Sequence, residues 1–351
     1  MPDENDIFIL KQRAEAMLAI GRFREAIPLL HKALAIDAQQ SDILCMLAFT
    51  HVNLEEYREA MTWAEKAVAV NPEEEWGHRL RSIIFMRTNR LKQSLIAALE
   101  AAKWMPDGIF TLSTLAEAQV CNNQMAQAEQ TVMRLLNVAP EEGLAHRTRA
   151  YVFIYQKKYV EAEESSRVAL QLEPENSRAM RLLGDSLRGQ KRLREAIDSY
   201  ADSLRRSPTN AETRKALQET AMDYLGWPWG PQIVGLSIAV VLTLLNLEIR
   251  LALGLGALAV WGYGWITARH GLHEVWSGNP KFTDMPAATQ AMVVDVCRSE
   301  TPHYLQAAVQ RYSFCCLALL VLFLLIMLWR GEPSSPDAVT TNHLMALLSP
   351  Y

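Results

Sequence analysis

GLAHRTRAYVFIYQKKYVEAEESSRVALQLEPEN (143–176) and SRAMRLLGDSLRGQKRLREAIDSYADSLRRSPTN (177–210) lie end to end and align without a gap. In both, the eighth residue is small (Ala150, Gly184) and the twentieth is alanine (Ala162, Ala196). The seventeenth is a large apolar knob (Tyr159, Leu193), and a proline (Pro174, Pro208) stands near the end. Self-similarity at this period marks a helix–turn–helix unit that cannot bury its apolar face alone and stacks on copies of itself.

Working outward, the same frame runs upstream. Prolines fall at 72, 106, 140, 174 and 208, each 34 residues after the last. In frames starting at Ile7, Ser41, Glu75 and Ile109, the eighth residue is Ala14, Ala48, Ser82 or Ala116, and the twentieth is Ala26, Ala60, Ser94 or Ala128. Two helices that cross closely need small residues where their backbones approach. The seventeenth position carries Phe23, Tyr57, Leu91 and Met125, next to turn residues such as Gly21-Arg22, Asn53, Asn89 and Asn122-Asn123. Lys157-Lys158 does the same in the fifth frame. Only the first frame lacks the proline, with Ala38 in its slot, as befits a terminal repeat.

These positions resemble the tetratricopeptide repeat family from residue 7 to 210, with no insertion or deletion. The resemblance implies an all-α superhelix of six helix-turn-helix repeats, at 7–40, 41–74, 75–108, 109–142, 143–176 and 177–210. Residues 211–224, AETRKALQETAMDY, read as a capping helix with Thr209 or Asn210 as its N-cap. The resemblance specifies a fold, not a partner, because function lives in the site and not in the scaffold.

It also implies a concave groove lined by the second, fifth, ninth, twelfth and thirteenth residues of each repeat. In repeat 3 the candidates are Trp76, Arg79 and Arg87, and in repeat 4 Phe110. Repeat 5 supplies Arg147, Tyr151 and Tyr155, and repeat 6 Arg178, Arg181 and Arg188. Arginine forks recognise carboxylates bidentately and aromatic rings give rigid contact area. The expected ligand is therefore a protein or peptide segment, an acidic one in the sharper reading. The blander reading is a solvated face balanced by Asp185, Glu175 and their neighbours. Some arrays of this family hold a chaperone's terminal carboxylate with Lys and Asn at the fifth and ninth positions and Asn at the sixth position of the next repeat. Arg147, Tyr151 and Leu182 occupy those positions here, so chaperone docking is not implied.

Beyond Asp223 the composition changes. Uncharged windows of 24, 18 and 18 residues lie between Asp223 and Glu248, Arg250 and Arg269, and Arg311 and Arg330. A helix of 18 residues reaches about 27 Å, close to the hydrocarbon thickness of a bilayer. Trp227, Trp229, Trp261, Trp265 and Trp329 stand near window ends, where amphipathic rings prefer the headgroup layer. The expectation is a transmembrane region of about three spans: a hairpin at 231–268, a loop with short helices at 269–311, a third span at 312–329, and a tail at 330–351. A single long helix over the first two windows is the alternative. It would place Glu248 and Arg250 near mid-bilayer at a cost of several kcal/mol, so the hairpin is favoured. Gly235/Ala239 and Ala252/Gly256 supply small residues for close helix approach. In the loop, Thr283-Asp284 before Pro286 reads as a helix start, and Ala287, Ala291, Val294 and Val309 as surfaces against the membrane or the hairpin.

The N-terminus MPDENDIFILKQRAEAM has acids where a signal peptide needs bases, so the array is expected on the cytoplasmic side of a multi-pass membrane protein, as in a bacterial inner membrane. Arg269, Lys281, Arg298 and Arg311 would then face inside against Arg250 and Arg330 outside, weakly positive-inside. A net charge of −4 gives no global basic field, so nucleic acid is not an expected partner. Cys45, Cys121, Cys297, Cys315 and Cys316 form no paired framework and read as reduced thiols. No phosphate loop, HExxH, GxSxG or EF-hand pattern is present. His270 and His273 beside Glu274 are the nearest approach to a metal set, and read better as interfacial polar groups. No enzyme activity and no cofactor are expected. The two functions in play are a membrane-anchored scaffold or adaptor and a structural subunit of a membrane secretion, envelope-assembly or transport complex.

Overall fold

The computed structural model of the chain describes residues 4–225, 276 and 279–299, and every regular element among them is helical. The helices come in pairs: α1 (Glu4–Ala19) with α2 (Phe23–Ile36), α3 (Ser41–Asn53) with α4 (Tyr57–Val70), and α5 (Glu75–Arg87) with α6 (Leu91–Trp104). The pairs α7 (Ile109–Cys121) with α8 (Met125–Val138), α9 (Gly143–Tyr155) with α10 (Tyr159–Leu172), and α11 (Ser177–Gly189) with α12 (Leu193–Arg206) follow. After them come α13 (Ala211–Leu225), α14 (Pro280–Thr283) and α15 (Ala287–Ser299). The chain is thus an all-helical solenoid of helix–turn–helix repeats. It divides into two compact units, Met1–Val294 and Asp295–Tyr351, the end of α15 belonging to the second.

One turn serves all six pairs. The residue after the first helix's cap takes a left-handed conformation: Gly21 (φ 74°), Glu55 (61°), Asn89 (59°), Asn123 (60°), Lys157 (62°) and Lys191 (65°). The next amide reaches back five residues in each, as in Arg22 N to Met17 O (2.8 Å), Arg90 N to Phe85 O (2.8 Å) and Arg192 N to Leu187 O (3.0 Å). This satisfies carbonyls the ending helix leaves free. At the far end of each later unit, proline follows the cap of the second helix directly, as Pro72 follows Asn71 and Pro174 follows Glu173. The ring disfavours helical backbone in the residue before it, so the helix stops there.

Inside the pairs the small residues meet as their spacing requires. Ala14 and Ala26, Ala48 and Ala60, Ala116 and Ala128, and Ala150 and Ala162 are all fully buried. In the third pair Ser82 and Ser94 replace both alanines, and their buried hydroxyls bond each other at 3.2 Å. In the sixth, Gly184 makes room for Tyr200: a Cβ on Gly184 would stand 2.6 Å from the ring. Between pairs, leucines such as Leu30, Leu112 and Leu135 are almost wholly buried, each worth about 1.5–3 kcal/mol over exposure.

Asn210 caps α13 by accepting from Thr213 N at 2.9 Å. Residues 279–294 lie against this end of the array. Asn279 Nδ2 donates to Leu225 O at 3.1 Å, Lys281 Nζ to Tyr224 O at 3.2 Å, and Thr289 Oγ1 to Asp198 at 3.4 Å. Trp276, Phe282, Met285 and Val293 are buried. The helix start read at 283–286 is present. Ala287 and Ala291 are exposed, while Thr289, Val293 and Val294 form the buried face. Thr289 and Val293 are four apart, one face of a helix, and this face is turned inward by the bond from Thr289 to Asp198 on α12. Val309 lies outside the described residues, as do the windows at 231–268 and 312–329 and the tail at 330–351. Among the described residues, no helix is long and apolar enough to cross a membrane.

Candidate functional site

The first helices of successive pairs pack side by side, α3 on α5, α5 on α7, α7 on α9, α9 on α11 and α11 on α13. Their polar residues show which way the row bends. Arg87 at the end of α5 meets Glu212 at the start of α13 at 2.8 Å. Three helices intervene, and at interaxial distances of 8–10 Å a straight row would separate these two by roughly 35 Å. Contact therefore requires the row to curl, with this face on its concave side. Arg178 on α11 likewise reaches past α9 to Glu117 on α7 at 2.5 Å.

Five of the six candidate arginines are already neutralised. Arg79 binds Glu75 (2.9 Å) and lies over the Phe110 ring (5.3 Å to its centroid). Arg87 has Glu212, and Arg178 has Glu117, whose charge raises the arginine's pKa. Arg181 sits between Asp185 (2.8 Å) and Glu212 (3.9 Å). Arg188 faces Glu219 (3.0 Å) and Asp223 (3.9 Å). Asp185 is also the acceptor for the Tyr200 hydroxyl at 2.7 Å. Burial raises its pKa against the opposing pull of Arg181 and Tyr200.

Arg147 is the exception. Its guanidinium donates to Asn176 Oδ1 at 3.1 Å, its buried Nε has no partner, and it forms no ion pair among the described residues. Burial is the main cause of its lowered pKa. Glu173 and Glu117 lie near enough to favour the charge, but neither pairs with it directly. A carboxylate arriving within hydrogen-bond range relieves the cost of drawing the charge partly out of water. On the same helix, α9, the rings of Tyr151 and Tyr155 pack with centroids 4.8 Å apart and planes tilted by 50°. Tyr155 is 53% exposed and Phe110 62% exposed, so both offer ring surface to a ligand. Burial pushes the Tyr151 phenol up.

The candidate residues thus fall into two groups. Arg147, Tyr151, Tyr155, Arg178, Arg181 and Arg188 lie along α9 and α11, whereas Arg79 and Phe110 meet at the α5–α7 junction, with Arg87 at the end of α5. Trp76 is half-buried and packs mainly into the core beneath α3 and α5. With Arg79 it also lines an open cleft of about 430 Å³, completed by Glu73, Glu74, Glu75, Trp104 and Met105, which contains none of the C-terminal arginines. Of the balancing acids read from sequence, Asp185 does pair with Arg181, but Glu175 pairs with Arg206 instead. Glu212 went unread. Continuing the repeat frame past Asn210 puts it at a second, groove-facing position, which was the available signal. Cys45 is buried and free, and burial pushes its thiol up. His270 and His273 lie outside the described residues, among which no metal-binding cluster occurs.

The tetratricopeptide repeat family matches residues 17–83. No curated protein sequence matches the chain. Among solved structures, a thermophilic tetratricopeptide protein of Thermus thermophilus is 20% identical, with 52% of this chain and 99% of that one covered and a TM-score of 0.48. PilW, a widely conserved type IV pilus biogenesis factor, is 15% identical, covering 61% of this chain and 99% of its own, with a TM-score of 0.48. The APC/C hetero-tetramer Cut9–Hcn1 is 13% identical over 82% of this chain and 55% of the matched one, with a TM-score of 0.52. At such identities the likeness is one of fold.

Proposed function

We propose that this solenoid of tetratricopeptide repeats is a non-catalytic adaptor that binds an acidic protein or peptide segment along α9 and α11 and is anchored to a membrane by the windows that follow Asp223. The observation that carries the binding half is Arg147, a partly buried guanidinium with no carboxylate in ion-pair range among the described residues, on a face where five other arginines have one. A ligand carboxylate supplies the missing ion pair, and the exposed ring of Tyr155 supplies flat contact area on the same helix. The same pairing disfavours nucleic acid, since covered arginines offer no row of free charges to a phosphate backbone.

The anchoring half rests on the uncharged windows together with the position of residues 279–294 against the end of the array. Leu225 and Asn279 bracket the first two windows and are hydrogen-bonded at 3.1 Å. A single crossing would put a bilayer between them. If these windows enter a membrane, they cross it an even number of times, which favours the hairpin over one long helix. With the array on the cytoplasmic side of a bacterial inner membrane, the third window would leave the tail outside. Topology reporters placed after Arg250 and at Tyr351 should both then read outside.

The subunit reading has one observation of its own. Ile96 and Leu99 on α6 and Met133 on α8, second helices away from the groove, are 63%, 50% and 60% exposed, a surface that neighbouring subunits of a membrane complex could cover. A pull-down with the full chain in mild detergent separates the two. Under the adaptor reading the partner is lost when Arg147, Arg178 and Arg181 are changed to Glu, or when Arg147 alone is changed to Gln. Equal recovery by folded variants removes the groove from the account. Loss only on changing Met133 to Glu moves the function to the outer face.

A further inference from the structure

Among the described residues, Glu212 is the one carboxylate in the groove whose two oxygens face arginines from opposite sides of it. Oε1 meets Arg87 at 2.8 Å and Oε2 meets Arg181 at 3.9 Å. Arg87 belongs to α5 and Arg181 to α11, so neither is a neighbour of α13 in the chain. The contact with Arg87 joins residues 125 apart in sequence. It spans the concave face from α5 to α13, across the path a bound segment would follow.

This tie is not built to be permanent. Glu212 is 59% exposed and Arg87 51% exposed, and an exposed pair of this kind contributes about 0–1 kcal/mol. Arg181 does not depend on it, because Asp185 lies nearer at 2.8 Å. The other groove acids are more firmly held: Glu117 is largely buried against Arg178, and Asp185 also accepts the Tyr200 hydroxyl. Glu212 is both accessible and shared by two arginines, and those two contacts are what hold its carboxylate in place.

We infer that Glu212 is a resident competitor: its carboxylate occupies the place between Arg87 and Arg181 that an acidic residue of the bound segment takes when it enters. The inference rests on the acidic-segment reading above and adds the selection rule. A segment with a carboxylate for Arg147 and a second one for Arg87 and Arg181 replaces Glu212 and regains what the tie loses. A neutral segment must break the tie with nothing to replace it. Glu212 therefore filters ligands by charge while lowering the affinity of those it admits.

The test uses the full chain in mild detergent and fluorescein-labelled hexaglutamate, read by anisotropy. Glu212→Gln keeps the shape and removes the competing charge, and it should bind the probe about two- to fivefold more tightly than wild type. Glu175→Gln makes the same charge change beside Arg206, away from the tie, and should leave affinity unchanged. Adding Arg87→Gln to Glu212→Gln should abolish the gain. Equal affinity of Glu212→Gln and wild type, or an equal gain in Glu175→Gln, overturns the competitor role while leaving the groove reading intact. Failure of every form to bind hexaglutamate overturns the acidic-segment reading itself.

Discussion

The seams inside the helix pairs and the wall of the groove are built from the same repeats under opposite constraints. At the seams two backbones must approach, so residues eight and twenty are interchangeable small side chains, and Ala14/Ala26 does the same work as Ala150/Ala162. Along the wall five of the six arginines find carboxylates in five different arrangements, taken from the next turn of helix or from another helix, and Arg147 finds none in ion-pair range among the described residues. Periodicity therefore carries stability and aperiodicity carries recognition. Substitutions that empty or overfill a seam should destabilise the array, whereas wall substitutions should alter binding in a chain that still melts normally.

The largest break in that division is expected at the sixth pair. Tyr200 is fully buried over Gly184 and bonds Asp185. Tyr200→Ala should cost about 3–5 kcal/mol in chemical denaturation, the range for emptying an aromatic site. Gly184→Ala pushes a methyl toward the same ring and should cost about 1–3 kcal/mol. The third pair sharpens the point. Ser82→Ala or Ser94→Ala alone strands one buried hydroxyl and should cost about 1–3 kcal/mol, while the double change to alanine restores the pattern of the other pairs and should be nearly neutral. A double mutant as unstable as the sum of the singles would show that this hydroxyl pair is not an isolated substitute for two methyls.

Smaller effects come from the turns and the exposed wall. Lys191 holds φ at 65°, where Gly21 sits in the first pair. Lys191→Gly should stabilise by a few tenths to about 1 kcal/mol, since it removes a side chain from left-handed backbone. Arg87→Gln should shift stability by less than about 1 kcal/mol, because both members of its pair face water. A thermal melt that ranks Arg87→Gln with Tyr200→Ala would erase the distinction between seam and wall.

Much of the solenoid was legible because the seam forces it into the sequence. Five prolines and the small residues at Ala48/Ala60 or Ala116/Ala128 repeat because backbone approach and chain reversal repeat. The left-handed turn residue was harder to see, since Glu55, Lys157 and Lys191 are not residues that announce that conformation. The wall was legible only as a set of positions. That Arg178 would find Glu117 and Arg87 would find Glu212 depends on how far the row of helices curls, a property summed over many interfaces and written in no single spacing. Arg147 was named for its residue type, but its lack of an ion pair among the described residues became visible only when the surrounding acids had been placed.

The most direct measurement is calorimetric titration of the full chain in mild detergent with unlabelled hexaglutamate, comparing wild type, Arg147→Gln and Arg79→Gln. Arg147 forms no ion pair among the described residues, and Arg79 is already held by Glu75 at 2.9 Å. Arg147→Gln is predicted to weaken binding about tenfold or more, as expected for losing a hydrogen bond to a charged group, and Arg79→Gln to leave it within about twofold. Undiminished binding by a folded Arg147→Gln chain, with the loss falling on Arg79→Gln instead, would contradict the assignment of the ligand to α9 and α11.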